Sequence, residues 1–270
     1  MLYSWGTTRY TNDGSHHIFT IHDAMISSPL IAFLNVISNY NLPKRYLDKA
    51  KIYLAVVLRN FEEIHAKDFI EIDENSGFFQ DPYFESLGFY TPLNQFVRSA
   101  LLCIELYNAT NDESFKTYAI KTANYLKSKL IYEEDLFYWA YGYYALGTTN
   151  MGRADDLSHA SIVAQFIITC YENNIVFTKQ DIDKLINLFF TNIFKNDTFS
   201  INIDGTGIEL QPEEIGVKYF VLLSKYNTDI YYIINNWYQN QTFELDETTF
   251  LNHFGSKLIL WFGLLKYLKP

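Results

Sequence analysis

The sequence predicts an all-α fold in which helical hairpins form an incomplete ring with short β excursions at one mouth. Three observations carry this. Apolar residues recur at steps of three and four along almost the whole chain. Helix pairs starting near Pro29, Pro92 and Ser158 return at a period of roughly 65 residues. Each pair is followed by a stretch of Gly, Asp and aromatics instead of a tight turn.

The first pair is expected over 24–40 and 44–66, followed by the excursion IEIDENSGFF. In the second, Leu93, Phe96, Val97, Ala100, Leu101, Ile104 and Tyr107 fall on one helical face. Thr91 is the expected cap and Pro92 suits the first turn. That helix should end near NATNDES, where FKTYAIKTANYLKSKL begins its partner; EEDLFYWAYG then reads as a short strand or extended loop. A third pair covers 158–174 and 179–195, followed by TFSINIDGTG; a fourth covers 212–226 and 228–239, and a last long helix 247–268. Hairpin arrays open into a solenoid or close into a ring of inner and outer helices. Excursions such as DENSGFF, YWAYG and NIDGTG favour the ring, with all of them around one mouth.

The chain has 270 residues, is 49% apolar, and has few Gly and Pro, which suits one domain over 21–270 behind a leader at 1–20. A net charge of −10 without a Lys/Arg cluster argues against nucleic acid and anionic membranes as partners. MLYSWGTTRYTNDGSHH lacks the plan of a signal peptide, and no run of 18 uninterrupted apolar residues occurs, so a soluble chain is expected, in a compartment left open. Cys103 and Cys170 fall in apolar helical patterns and read as buried thiols. The six histidines are scattered without metal-type spacing, and no phosphate-binding or dinucleotide motif occurs, so neither a metal nor a cofactor is expected. Calcium at NIDGTG or DENSG lacks a complete EF-hand loop. Oligomeric state is open.

PLNQFVRSALLCIELYNATNDESFKTYAIKTANYLKSKL resembles the inner and outer helix pair of the α/α-toroid, or six-hairpin glycosidase-like, carbohydrate-active proteins. HDAMISSPLIAFLNVI and RADDLSHASIVAQFI resemble motifs of a bacterial branch related to the D-glucuronyl C5-epimerase C-terminal domain. The likeness runs over roughly residues 20–265, with about four and a half hairpins in place of six. It implies an incomplete (α/α) toroid with an oligo- or polysaccharide site in its mouth, formed by the starts of inner helices and the excursions before them.

The residues themselves point to the same end of the helices: His22 and Asp23, Asn94 and Gln95, Asp155 and Asp156 with His159, and Glu213 and Glu214 all lie at or before helix starts. Asp156 and His159 are three apart and face each other in a first turn, so Asp156 either caps the helix or orients a proton-transferring ring. The helix end disfavours imidazolium and the carboxylate favours it; sequence leaves the balance open. Arg153 suits a substrate carboxylate, or a salt bridge to Asp155 or Asp156. Asn94, Gln95 and Arg98 follow as binding candidates, and His22 with Asp23 as a second pair or a plain cap. Tyr138, Trp139 and Tyr141 offer stacking surface and phenolic protons, or a plug of the ring. The expected chemistry is C5 proton abstraction from a uronate, as lyase or epimerase, through His159, Asp156 and Tyr141 or Tyr138. The alternatives are a glycoside hydrolase pairing Asp156 with Asp23 or Glu214, or a saccharide-binding toroid without turnover.

Overall fold

A computed structural model describes residues 5–39, 43–142, 152–207, 217–239 and 268. Among the described residues the fold is predominantly helical, with two-stranded sheets only. A hairpin of helices followed by a hairpin of strands occurs three times. Helices α1 (Thr20–Asn39) and α2 (Lys44–Asn60) lead to β1 (Phe69–Glu71) and β2 (Gly77–Phe79). After a short α3 (Pro82–Ser86), helices α4 (Leu93–Thr110) and α5 (Glu113–Ser128) lead to β3 (Ile131–Tyr132) and β4 (Phe137–Tyr138). Helices α6 (Leu157–Glu172) and α7 (Lys179–Leu188) lead to β5 (Phe194–Lys195) and β6 (Thr198–Phe199). Both α2 and α7 run into a single π-helical turn, Phe61–His65 and Phe189–Ile193. A 3-10 helix, Val217–Lys225, and α8 (Thr228–Gln239) follow. The helix expected over 247–268 lies, except for residue 268, outside the described residues, as does Glu214.

Local chemistry sets the boundaries. Asp112 caps α5 by accepting from Ser114 N at 2.9 Å, and Thr178 with Asp181 closes a capping box on α7. Helix α4 ends at Asn111, whose φ of 56° is a left-handed conformation that Asn tolerates. Thr91 does not cap α4: Pro92 takes that place, and the Thr91 hydroxyl accepts from Asp81 N at 2.6 Å. The excursions are antiparallel hairpins with aromatics facing across them, Phe69 opposite Phe79, Tyr132 opposite Phe137 and Phe194 opposite Phe199.

The chain divides into two compact units. The first contains residues up to Lys129, Gly142–Gly152 and Thr169–Val176; the second contains Leu130–Tyr141, Arg153–Ile168 and Phe177 onward. Within the first, α1 packs on α2 and α4, and α4 on α5 and β2. Phe78, Phe79, Phe96, Val97 and Leu102 are fully buried there, as are the free thiols Cys103 and Cys170. Helix α1 is long and apolar enough to cross a membrane by length and composition, with a mean hydropathy of 1.3 over Thr20–Ile37. It also carries the buried polar residues Asp23, Ser27 and Ser28 on the side that faces its neighbours.

Of these, Asp23 belongs to a sealed network. Asp23 Oδ2 meets His65 Nε2 at 3.1 Å, His65 Nδ1 meets Ser99 Oγ at 3.1 Å, and Asn60 Nδ2 donates to Asp23 Oδ1 at 3.2 Å. The side chains of Asp23 and His65 are 0% exposed. The second unit has its own aromatic core of Phe137, Trp139, Phe166, Phe189, Phe199 and Phe220.

Candidate functional site

The site is built where the β4 excursion meets the start of α6. Beyond β4 the chain stays extended: Asp155 N donates to Trp139 O at 3.2 Å, and Tyr141 N donates to Arg153 O at 3.1 Å. On the other side, Leu157 N donates to Ile201 O and Ile203 N to Asp155 O, so the loop after β6 holds the same segment. Asp155 and Asp156 are therefore clamped between two excursions as α6 begins. Alternation along an extended strand then turns neighbouring side chains apart. Asp155 is fully buried, while Asp156 and His159 keep 21% and 41% of their side chains exposed.

Asp156 makes both contacts that the sequence left open, the helix cap and the meeting with His159. Its Oδ1 caps α6, accepting from Ser158 N at 3.1 Å and His159 N at 3.2 Å. Its Oδ2 meets His159 Nδ1 at 2.7 Å. Burial opposes charge on the His159 ring, but the hydrogen bond and charge of Asp156, with Asp155 adding, outweigh it and raise the pKa above the usual 6.5. Burial likewise pushes Asp156 up, and the His159 pairing with Arg153 nearby outweighs it, leaving that carboxyl below its usual range. The carboxylate therefore wins over burial, and the pair favours imidazolium beside carboxylate.

Tyr141 closes over the pair. Its ring meets the His159 ring edge-on with centroids 5.0 Å apart, and the Arg153 guanidinium sits 6.0 Å from the Tyr141 centroid. Burial and the charges of Asp155 and Asp156 raise the phenol's pKa, against the lowering effect of Arg153. Arg153 is exposed and forms no ion pair among the described residues, so its charge is available to an anion. Asp155 lies beneath. Trp139 Nε1 donates to its Oδ2 at 3.0 Å, and burial, with Asp156 adjacent, pushes its pKa up to about 7.

Several expectations are corrected by burial. Asp155 does not face a substrate, because it is enclosed under Trp139. Trp139 is 0% exposed and acts as a hydrogen-bond donor to Asp155, not as a stacking platform. Of the two tyrosines, Tyr141 meets His159, whereas Tyr138 lies half-buried on β4 opposite Ile131. Asp23 neither caps α1 nor pairs with His22; it is spent on His65 and Asn60, because α1 starts at Thr20, four residues before the expected start at 24. His22 packs against Tyr10 and Phe19, and burial lowers its pKa.

Asn94, Gln95 and Arg98 belong to the first unit. Asn94 and Arg98 are buried, and the Arg98 charge falls on Glu105, whose pKa burial raises. In DENSG and NIDGTG the aspartates are held locally, Asp73 accepting from Asn75 N and Ser76 Oγ and Asp204 from Thr206.

His65 and Ser99 were not singled out by sequence. Asp23, His65 and Ser99 follow one another in the order of a nucleophile relay. All three are fully buried, and Ser99 has no surface for a substrate, so the series is a structural network. No sequence signal marks it, since 42 residues separate Asp23 from His65 and 34 separate His65 from Ser99.

A second histidine–aspartate pair occupies the first unit. His17 Nε2 meets Asp81 Oδ1 at 2.8 Å, and Asp81 also accepts from Thr20 N, Thr20 Oγ1 and Tyr83 N. This carboxylate caps α3 and fastens the segment before α1. Nearby, burial and the Asp81 charge push Asp68 up from 3.8 to about 6. A raised carboxyl favours folding while protonated, so its contribution is fully present below pH 3.8 and lost as pH rises through about 6. Asp68→Asn should therefore stabilise the chain above pH 6 by on the order of 1 kcal/mol, allowing for screening of a half-buried group. Urea titrations at pH 4 and pH 8 check this; an equal effect at both would remove the titration argument.

No family model, curated protein or solved structure matches this chain.

Proposed function

We propose that the Asp156–His159–Tyr141 cluster is a proton-transfer site acting on an acidic, uronate-containing polysaccharide, as a lyase or a C5-epimerase. One observation carries the reading: a ring fixed by a carboxylate at 2.7 Å, a phenol against that ring, and an exposed guanidinium beside the phenol, all at one helix start. Removal of the C5 proton places its electron pair on the adjacent carboxylate, and Arg153 supplies charge to stabilise that anion. His159 and Tyr141 then divide the two proton transfers, one taking the C5 proton. In a lyase the other protonates the departing C4 oxygen; in an epimerase it returns a proton to the opposite face. The threefold alternation of helix pair and strand pair supports, on the same footing, an incomplete α/α toroid as the scaffold.

A hydrolase draws on the opposed pKa shifts of Asp155 and Asp156, the pattern of an acid paired with a base. Asp155 is wholly enclosed, however, so its proton has no route to a glycosidic oxygen. The test is incubation with uronate polysaccharides and neutral glycans, following unsaturated uronate, new reducing ends and deuterium uptake at C5. Unsaturation or C5 exchange lost in Tyr141→Phe supports the proposal. Reducing ends without either would establish the hydrolase, and binding without any of the three a saccharide-binding protein.

A further inference from the structure

We propose that Asp155, Asp156 and His159 form a binding site for a divalent first-row transition-metal ion of the Zn2+ or Mn2+ class. One carboxylate oxygen from each aspartate and a ring nitrogen of His159 lie within 4.8 Å of one another. Three ligand atoms about 2.0–2.2 Å from a shared ion stand at most roughly 3.8 Å from one another, so the three close on an ion with shifts of up to about an ångström.

The decisive observation is independent of that spacing. Asp155 is 0% exposed, and its Oδ1 has no hydrogen-bond partner among the described residues, while Oδ2 is already held by Trp139 Nε1. A buried carboxylate oxygen left without a partner is costly and calls for a cation or a proton. The oxygen belongs to a residue fixed at its backbone on both sides, through Trp139 O and Ile203 N, so it cannot swing to another partner cheaply.

The donor set selects the class of ion. Two carboxylates and an imidazole are a mixed oxygen and nitrogen set, which suits Zn2+ or Mn2+ better than Ca2+ or Mg2+, whose ligands are oxygens. Three protein ligands leave positions open for water or an anion, and Asp156 and His159 are the partly exposed members through which an ion would enter. The inference does not rest on the saccharide reading. If both hold, they exclude each other in time, because a metal on His159 removes that ring from proton transfer.

The test uses the whole chain, stripped with chelator and titrated at neutral pH with ZnCl2 by calorimetry and with MnCl2 by electron paramagnetic resonance. The wild type should take one ion at this site, with affinity at least about tenfold weaker in Asp155→Asn and in His159→Gln. Asn retains an oxygen for Trp139, so Asp155→Asn should keep the fold, which circular dichroism verifies. No binding to the wild type, or equal affinity in all three chains, would overturn the site and leave Asp155 simply protonated. Saccharide turnover plays no part in these readouts, so either proposal can fail alone.

Discussion

Asp23→Ala should destabilise the chain by about 2–6 kcal/mol, since it leaves two buried hydrogen-bonding groups without their partner at roughly 1–3 kcal/mol each. The substitution strips His65 Nε2 and Asn60 Nδ2 of their acceptor inside an interface where Asp23, His65 and Ser99 are all 0% exposed. Water cannot replace the lost carboxylate there without opening the packing of α1 against α2 and α4. Ser99→Ala removes only a hydroxyl at the far end of the series and should cost about 1 kcal/mol. The order of the two effects is the informative part. Urea denaturation followed by circular dichroism measures both. An Asp23→Ala effect below that of Ser99→Ala would mean that the network contributes little to holding the helices.

The second large effect is on turnover. If His159 transfers a proton, His159→Gln should lower the rate by about 10²–10⁴-fold. Its stability should fall by only about 1 kcal/mol, because a half-exposed ring loses one hydrogen bond. Asp156→Asn separates the two functions of that residue. Asn still accepts from Ser158 N and His159 N, so the cap on α6 survives, while the charge that raises the His159 pKa is gone. Turnover should fall with little change in the unfolding midpoint. Wild-type turnover on uronate substrates in His159→Gln would sink the proton-transfer assignment, and a collapse of stability in Asp156→Asn would make the pair structural.

Much of this arrangement was legible beforehand. The periodicity of PLNQFVRSALLCIELYN located α4, and the Asp156 to His159 spacing brought those two side chains together, because both are local consequences of helical geometry. Aromatic stretches without helical spacing read correctly as excursions, although each hairpin begins before its stretch and β5 falls at the end of the helix expected over 179–195. Sequence failed where burial was decided by distant partners. Trp139 looks like a sugar platform in YWAYG, yet the fold closes over it and turns its indole N–H to Asp155. Asp23 looks like a cap or an acid beside His22, yet α1 begins at Thr20 and rotates it inward to His65.

The sequence by itself determined the helical hairpins, the cap of α6 at Asp156 and the pairing of Asp156 with His159, since each depends on neighbours a few residues apart. Only the tertiary structure decided which ionisable groups are open and which are sealed. Asp155 and Asp156 are adjacent in the chain, yet one is enclosed with its pKa pushed up to about 7 and the other sits half-open below its usual range. The physical reason is that solvation and charge act through space. The two excursions that clamp this segment set the surroundings of each carboxyl, and they come from chain positions that local spacing does not link.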